Sequence, residues 1–396
     1  MDFLTLAAEL RSELVERRRD LHRHPELGYE EFRTAGIVAD ELNRLGLEVQ
    51  TGVGKTGVVG ILEGAQDGPT VLVRADMDAL PILEENTHDY TSTVPGKMHA
   101  CGHDAHTTIA LGVAKLLMAQ RDQIKGRIKF VFQPAEEGGG GARAMIADGV
   151  LGDPRPDVSV GLHVWADMPV GVIGLTDGSM MAGASLFRVV LTGHGGHGAM
   201  PHLTIDPVPV AGLLISALNG VVGRKVDALS GAVLTVTSVR TSSEAYNVIP
   251  QSVELRGTLR TFEHEVAQQL EQRIREISTA LASAHECRAE IEVNHLTIPV
   301  VNDAQVYQRV HKVFTGFGDA VQIQPVRTMA SEDVSFLMDD IPGLYFFVGA
   351  GNAERGITYG HHHPRFDIDE DVLPLSVALL SSAVAEYILP EGRGGA

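Results

Sequence analysis

The segment MHACGHDAHT, residues 98–107, contains three histidines and one of the two cysteines of the chain. His99 and His103 flank Cys101 at a spacing of two residues, and the surrounding GKMHACGHD lacks the apolar periodicity of a core helix. A free cysteine is usually an inert core residue, which suits Cys287 near the end of a predicted helix. Because clustered thiolate and imidazole groups bind transition metals, Cys101 is predicted to have a functional role.

Further polar side chains follow apolar segments that read as buried strands. In open α/β sheets, ligand crevices form beyond the carboxyl ends of the strands, so residues that are distant in sequence can meet there. These polar groups are Asp76 and Asp78 after TVLVR, Glu136 and Glu137 after IKFVFQPA, His163 after DVSVGL, and HHH at 361–363 after LYFFVGAG.

Together these groups could hold metal ions. Thiolate, imidazole and carboxylate ligands suit Zn²⁺, or else Mn²⁺, Co²⁺ or Ni²⁺, rather than Ca²⁺ or Mg²⁺. The candidates outnumber one tetrahedral shell, so two ions about 3.5 to 4 Å apart are expected, with open positions left for substrate. The candidates are Cys101, His103, Glu136, Glu137, His163 and His362, with Asp76 and Asp78 beside them.

Helix and strand patterns alternate in the part of the chain that carries most of these residues. Helical periodicity occurs in TAGIVADELNRLG, AHTTIALGVAKLLMAQ and GGARAMIADGV. Short apolar runs typical of buried strands occur in GVVGILEG, TVLVRADMD, GRIKFVFQP and DVSVGLHVW. This alternation predicts an α/β fold with a mostly parallel sheet covered by helices.

Residues 185–295 follow a different order, β-α-β-β-α-β, which is typical of a ferredoxin-like α+β unit with its own core. We expect this unit to be inserted into the first, so that the chain divides into 1–184, the inserted domain 185–295, and 296–396. Helical patterns of the outer domain then resume in AQVYQRVHKVF, SEDVSFLMDD and LPLSVALLSSAVAEYI. The terminal EGRGGA is expected to fray.

Composition excludes several classes of function. The chain has 396 residues, of which 44% are hydrophobic, enough for more than one core. Its 32 Lys and Arg against 51 Asp and Glu give a net charge of −19, which disfavours nucleic acid and anionic membranes as partners. No basic leader precedes the first apolar run, and no apolar run reaches the roughly 18 residues of a membrane span. We therefore expect a cytoplasmic protein with reduced cysteines.

Taken together, the motifs resemble the aminoacylase and carboxypeptidase family of co-catalytic metallopeptidases. The resemblance covers nearly the full chain, in order, through RADMDALP, MHACGHDAHT, FQPAEEGGGGA, GLHVW, GHGGHGAMPHLTIDP, NVIPQSVELRGTLRTF, SEDVSFL and HHPRFDIDED. The branch that the chain is most similar to holds hippurate hydrolases, N-acyl-amino-acid amidohydrolases and hydrolases of auxin-amino-acid conjugates. It implies a dimetal site that hydrolyses an amide next to a free carboxylate, and an inserted domain that serves as dimerisation domain and lid.

The resemblance also implies roles for single residues. Asp78 matches a carboxylate that orients the ligands from behind. Other branches have a histidine where Asp76 stands, so Asp76 is not counted as a ligand. His361 and His363 are alternatives to His362. The implied metal ligands are Cys101 as the bridging ligand, His103, Glu137, His163 and His362.

Glu136 matches the general base of the family. A divalent ion lowers the pKa of bound water to about 7, and a neighbouring carboxylate can then take and return a proton. The residues alone do not decide which of Glu136 and Glu137 is the base and which the ligand. The pair could instead cap the helix that follows it.

Three residues of the inserted domain match family positions that bind substrate. His197, in GHGGHGAMPH, matches a histidine that enters the active site of the neighbouring subunit and holds the oxyanion. His194 and His202 are alternatives to it. Asn247 and Arg260 match positions that bind the substrate carboxylate, a task that suits a guanidinium, although Arg260 could equally form a salt bridge on a strand surface.

These features predict an enzyme that hydrolyses N-acyl-L-amino acids, such as N-acetyl or N-benzoyl compounds, to a carboxylic acid and a free amino acid. We expect a homodimer, with pairing of dimers into a tetramer left open. One alternative keeps the site but makes the protein a carboxypeptidase or dipeptidase. Another is a dimeric binding protein with structural metal, which Glu136 disfavours because a closed structural site needs no spare carboxylate.

Overall fold

The computed structural model describes residues 2–390, so the expected fraying of EGRGGA concerns 391–396, outside the described residues. The chain divides into two compact units. The first comprises Met1–Met180, Val301–Arg327 and Asp333–Ala396, and the second comprises Met181–Val300 and Thr328–Glu332. The sequence-based bounds 185–295 differ by a few residues, because the first strand of the second unit starts at Gly183 and its last long strand ends at Thr297.

Within the described residues, the first segment of the chain, up to the start of the second unit, contains five α-helices and seven strands. They are α1 (Phe3–Glu9), α2 (Arg11–Arg23), α3 (Phe32–Leu45), β1 (Glu48–Val53), β2 (Gly57–Glu63), β3 (Gln66–Asp76), α4 (His103–Met118), β4 (Lys125–Gln133), α5 (Gly141–Ala147), β5 (Val158–Pro169), β6 (Val172–Gly174) and β7 (Gly178–Met181).

The second unit continues the order along the chain. Its elements are β8 (Gly183–Thr192), β9 (Gly196–His197), α6 (Pro207–Lys225), β10 (Ala232–Thr241), β11 (Val248–Ile249), β12 (Ser252–Thr261), α7 (His264–Ala284) and β13 (Arg288–Thr297). After it come β14 (Val300–Asn302), α8 (Ala304–Thr315), β15 (Gln322–Gln324), α9 (Val334–Asp339), β16 (Gly343–Gly351) and α10 (Val372–Ile388). Short 3-10 helices lie at Arg121–Gln123, Pro201–Leu203, Gly318–Ala320 and Ala353–Arg355.

The first unit is built on an eight-stranded sheet with the order β1-β2-β4-β3-β5-β16-β6-β15. The central strands β4, β3, β5 and β16 are parallel, and antiparallel pairs occur towards the edges. All nine residues of β16 are buried, as expected for a strand covered on both faces. The predicted fold class, a mostly parallel sheet flanked by helices, is confirmed.

His163 lies inside the strand β5, as the pattern of DVSVGLHVW predicts, but before the strand's end at Pro169 rather than at or beyond the strand end. The strand β5 continues to Pro169 because β16 pairs along it as far as Trp165 and, after a register shift, again at Pro169. Arg74 of β3 pairs with Gly161 of β5, and β3 ends at Asp76. Parallel strands advance together, so His163 still lies level with the end of β3.

The second unit has an antiparallel sheet with the order β10-β12-β8-β13. This order is the one that a β-α-β-β-α-β chain adopts in a ferredoxin-like unit. Leu191 and Leu255 of the sheet pack in one core with Leu214 of α6 and Leu270 of α7. The unit therefore has its own two-layer core.

Helix α6 is long and apolar enough, by length and composition, to cross a membrane, although the sequence pattern suggested no such segment. Its residues Val210, Leu214, Leu218 and Val221 are buried in the core of the second unit. A helix that packs on a sheet through an apolar stripe passes the same test of length and composition, and α6 packs in this way.

A buried ionic cluster ties three segments of the first unit together. Arg18 of α2 is fully buried and donates to Asp104 in α4 at 2.9 Å and to Asp367 at 3.0 Å. The same Asp104 oxygen lies 2.7 Å from Nδ1 of His22, and these neighbours, acting against the effect of burial, hold the pKa of Asp104 far below its usual range. Asp104 is adjacent to His103, so the cluster fixes the start of the helix that carries a candidate ligand.

Replacement of Arg18 should destabilise the first unit. Arg18→Met leaves the buried Asp104 without its guanidinium partner, and breaking such a pair typically costs about 3–5 kcal/mol. The free energy of unfolding can be measured in urea through the fluorescence of Trp165, the only tryptophan of the chain, which lies in this unit. Arg11→Met is the matched control, because Arg11 pairs with Asp371 at a surface where both side chains are 50% and 41% exposed, and its loss should cost at most about 1 kcal/mol. Equal losses in the two variants would contradict the role of the cluster.

Candidate metal centre

Five predicted ligands come from four segments and meet at one edge of the large sheet. His103 begins α4 and Cys101 lies in the loop just before it, His163 lies in β5, and Glu137 and His362 lie in other loops. The Sγ atom of Cys101 is 3.5 Å from Nε2 of His163, and Oε1 of Glu137 is 3.2 Å from Nε2 of His362.

Two groups of ligand atoms share the thiol of Cys101. One group is Cys101, His103 and His163, the other is Cys101, Glu137 and His362, and the atoms within each group lie within 4.8 Å of one another. Two cation positions with Cys101 between them would use all five side chains. The geometry thus supports a bridging role for Cys101, which stays a prediction.

The backbone around these ligands adopts conformations that few residues allow. Gly102 has φ +91°, and a Cβ there would lie 2.5 Å from the side chain of Val164. A Cβ on Gly141 would lie 1.6 Å from the carbonyl oxygen of Pro134, in the tight loop that carries Glu136 and Glu137. His362 has φ +64°, which is strained for a residue with a side chain, and its backbone N–H donates to the carbonyl of Ala100 at 2.8 Å. These constraints bring the loops close to Cys101.

Asp78 supports two of the candidate ligands at once. Nδ1 of His103 donates to the backbone oxygen of Asp78 at 2.8 Å and lies 3.2 Å from its Oδ1. The other carboxylate oxygen accepts from the backbone N–H of Glu137 at 2.9 Å. This arrangement directs Nε2 of His103 into the centre, as expected of a carboxylate behind a metal ligand.

The centre contains a buried polar atom that lacks a hydrogen-bond partner. Nε2 of His103 is buried and makes no hydrogen bond with any residue between 2 and 390, whereas Oε1 of Glu137 lies 3.2 Å from Nε2 of His362. An unpaired buried polar group costs roughly 1–3 kcal/mol, and a bound cation would supply the missing partner. The residues therefore fit a metal ion.

The charges of the ligands also favour a cation. Burial and the carboxylates of Glu137 and Glu136 raise the pKa of the Cys101 thiol well above its usual value, so the thiol keeps its proton until a cation replaces it. Burial lowers the pKa of His163 well below its usual value, so its ring is neutral and can ligate. Burial alone would lower the pKa of His103, but Asp76 and Asp78 outweigh burial and raise it to about 10. A cation would displace that proton as well.

The structure distinguishes the three consecutive histidines. Nε2 of His361 accepts from the backbone N–H of Ala166 at 3.3 Å, and Nδ1 of His363 accepts from that of Arg365 at 2.9 Å. His362 alone of the three belongs to a candidate cation group in the described part of the chain. Its side chain is 54% exposed, so the centre is open to solvent on this side.

Glu136 and Glu137 do not cap the following helix, so that alternative is wrong. The helix α5 begins at Gly141, its N-cap is Gly140, and its first turn has no acidic residue. A carboxylate oxygen of Glu136 instead lies within 4.8 Å of ligand atoms of His103 and Glu137. Glu136 is thus beside the centre but outside the two groups that share Cys101.

The predicted substrate residues lie in the second unit. His197 is an exposed residue of β9, which pairs with β11. Asn247 directly precedes β11, and its backbone oxygen accepts from the backbone N–H of Gly198 at 2.8 Å. Arg260 donates to the hydroxyl of Thr258 at 2.6 Å and forms no ion pair with any carboxylate in the described part of the chain. Burial lowers the pKa of Arg260. The strand-surface salt bridge considered for Arg260 is therefore not formed.

The family model of peptidase family M20/M25/M40 matches residues 72–386. The chain belongs to this family. It is 41% identical to the Arabidopsis thaliana IAA-amino acid hydrolase ILR1-like 4, with 98% of this chain and 89% of that protein covered. It is 38% identical to thermostable carboxypeptidase 2 of Saccharolobus solfataricus, with 93% of each covered, and 38% identical to the N-acetyl-L-cysteine deacetylase of Bacillus subtilis, with 96% and 92% covered.

A solved structure agrees with the fold. The Bacillus subtilis YXEP protein, described as a dinuclear metal binding peptidase of the M20 family, superposes with a TM-score of 0.83 at 33% identity over 95% of this chain and 97% of that one. The predicted resemblance is confirmed, and the protein is a metal-dependent amidohydrolase of the M20 family. Its individual site residues stay predictions.

Cys101 should be required for metal binding, whereas Cys287 should not. Cys101→Ser removes the soft anionic ligand that both groups share, so the affinity for Co²⁺ or Zn²⁺ should fall at least tenfold. Cys287→Ser, in the core of the second unit, should leave the affinity nearly unchanged. Quenching of Trp165 fluorescence by Co²⁺ and the metal content after dialysis would measure both variants. An equal loss of metal in the two would exclude Cys101 as a ligand.

Proposed function

We propose that the protein hydrolyses the amide bond of N-acyl-L-amino acids and releases a carboxylic acid and a free amino acid. The observation that carries this proposal is the pair of ligand groups that share Cys101, with the carboxylate of Glu136 beside them. Two divalent ions per subunit are proposed, Zn²⁺ first, with Mn²⁺, Co²⁺ and Ni²⁺ as alternatives. Relatives named as an N-acetyl-L-cysteine deacetylase and an IAA-amino acid hydrolase support an acylated amino acid as substrate.

The side chains of the first unit divide the proposed chemistry between them. Bound divalent ions would polarise the scissile carbonyl and acidify water. Glu136 takes the proton of the attacking water and returns it to the leaving nitrogen. This role falls to Glu136 because its carboxylate lies at the centre but belongs to neither of the two ligand groups that contain Cys101. Asp78 keeps His103 and Glu137 in place during this transfer.

The second unit supplies the proposed recognition of substrate. Arg260 has no carboxylate partner in the range 2–390, so its guanidinium is available for the carboxylate of an acyl-amino acid. Asn247 would add an amide donor. His197 would donate to the oxygen of the attacked carbonyl as it becomes an oxyanion.

A homodimer is proposed through the second unit. The edge strand β10 exposes Val233 and Val239, and α6 exposes Val208 and Leu213 on the side away from its core. Exposed edge strands and apolar patches favour pairing with another chain. In such a dimer His197 would act in the active site of the partner subunit.

A second candidate substrate is a short peptide. Relatives from Saccharolobus solfataricus are named as carboxypeptidases, and the same metal centre and base would serve a carboxypeptidase or dipeptidase. The two candidates differ only in the group that replaces the acyl chain.

Turnover of a substrate panel tests the proposal. Zn²⁺-, Mn²⁺- and Co²⁺-loaded protein should hydrolyse N-acetyl- or N-benzoyl-L-amino acids at least tenfold faster, by kcat/KM, than dipeptides of the same C-terminal residue. The reverse preference would favour the peptidase, and no hydrolysis of either class would refute the proposal.

The same assay separates the roles of the two glutamates. Glu136→Gln should retain its metal and its fold but lose about 10²–10⁴ in kcat, the usual contribution of a general base. Glu137→Gln is the matched variant and should lose metal instead. The opposite pattern would show that the base and the ligand are interchanged.

Mixed dimers test whether His197 acts across the interface. Glu136→Ala and His197→Ala should each be nearly inactive, but a mixed dimer would contain one site with both residues intact. Random pairing makes about half of the dimers mixed, and half of their sites would work, so co-refolded chains should recover about a quarter of the native activity. Proven mixed dimers that stay inactive would show that His197 does not act in the partner's site.

A further inference from the structure

Asp76 and His106 form a buried pair beside the metal centre. Oδ1 of Asp76, at the end of β3, lies 2.6 Å from Nδ1 of His106, in the first turn of α4. The other oxygen, Oδ2, accepts from the guanidinium of Arg74 at 2.8 Å. Asp76 is 0% and His106 2% exposed, so solvent does not compete for these bonds.

The second nitrogen of His106 is also occupied. Nε2 accepts from the backbone N–H of Val164 at 2.9 Å, so it carries no proton and the ring proton lies on Nδ1, directed at Asp76. Asp76, His103 and His106 lie close enough together to hold a cation. Because both nitrogens of His106 already have partners, His103 is the histidine of this group that is left to ligate.

The backbone of Val164, whose N–H donates to His106, also orients a candidate ligand through its carbonyl group. Nδ1 of His163 donates to the backbone oxygen of Val164 at 2.7 Å, which directs Nε2 of His163 towards Sγ of Cys101 at 3.5 Å. The rings of His106 and His163 are in edge-to-face contact, with centroids 4.4 Å apart. His106 thus touches His163 directly and fixes its neighbour.

We infer that His106, held by Asp76, is a positioning residue that sets the orientation of the His163 imidazole at the metal centre. The side chain of Asp76 thereby has a role although it is not counted as a ligand. The inference rests on the proposed function, because it requires that His163 ligates a metal ion. It adds that the carboxylate of Asp76 acts on the metal through the His106 imidazole and the backbone of Val164.

Metal affinity provides a test. His106→Ala removes both bonds and should weaken Co²⁺ binding about 10–100-fold, the usual effect of losing a partner that orients a ligand. His106→Gln should recover most of the affinity, because its amide oxygen can accept from the N–H of Val164. Thr108→Val is the matched control, since Thr108 is buried on the same helix and donates only within it, to the backbone oxygen of Asp104 at 2.7 Å. This control should bind Co²⁺ as the wild type does.

A double-mutant cycle separates positioning from a general loss of structure. If His106 acts through His163, His106→Ala should no longer weaken Co²⁺ binding once His163 is replaced by Ala. The visible absorption bands of bound Co²⁺ should shift in His106→Ala and return towards those of the wild type in His106→Gln. Asp76→Asn offers a milder variant should His106→Ala fail to fold, and it should shift the bands in the same direction.

Two outcomes would overturn the inference. One is that His106→Ala weakens Co²⁺ binding equally with and without His163, and the other is that it binds as tightly as Thr108→Val. If the wild-type protein binds no Co²⁺, both the proposed function and this inference are refuted. If the wild type binds Co²⁺ and one of these two outcomes is found for His106→Ala, only the inference is refuted.

Discussion

The structure of the first unit depends on one electrostatic constraint: ligand atoms are buried together without enough partners of opposite charge. Nε2 of His103 makes no hydrogen bond with the residues that the structure describes, and burial together with nearby carboxylates raises the pKa of the Cys101 thiol and keeps its proton in place. Such an arrangement is costly in the absence of a cation. Metal binding would remove this cost, so folding and metal affinity are expected to be coupled.

The first turn of α4 connects the candidate metal centre to two other buried networks of the first unit. His103 directs a ring nitrogen into the centre, Asp104 binds the buried Arg18 of α2, and His106 links β3 to β5. Three neighbouring side chains thus have three different environments because successive residues of a helix point about 100° apart. A small rotation of α4 would disturb the ligand and both of the buried networks that support it.

The sequence was sufficient to predict much of the site but not all of its geometry. The clustering of Cys101 with histidines and the placement of carboxylates after apolar strands indicated a metal centre. Periodicity alone could not show that β5 continues past Trp165 to Pro169, because the length of a strand depends on the partner that pairs with it. The role of His106 was also missed, although its spacing of three residues from His103 places both on one face of the helix.

The sequence by itself determined the alternation of helices and strands, the ferredoxin-like order of 185–295, and the residue types that can bind a divalent ion. These features follow from local periodicity and side-chain chemistry. Tertiary structure decided which of the consecutive histidines contacts Glu137 at the candidate metal centre, since His362 reaches Glu137 through a strained backbone held by Ala100. It also decided that Asp76 binds His106, and that Thr328–Glu332 joins the second unit. Such contacts join segments far apart in the chain, where no local pattern records which atoms will meet.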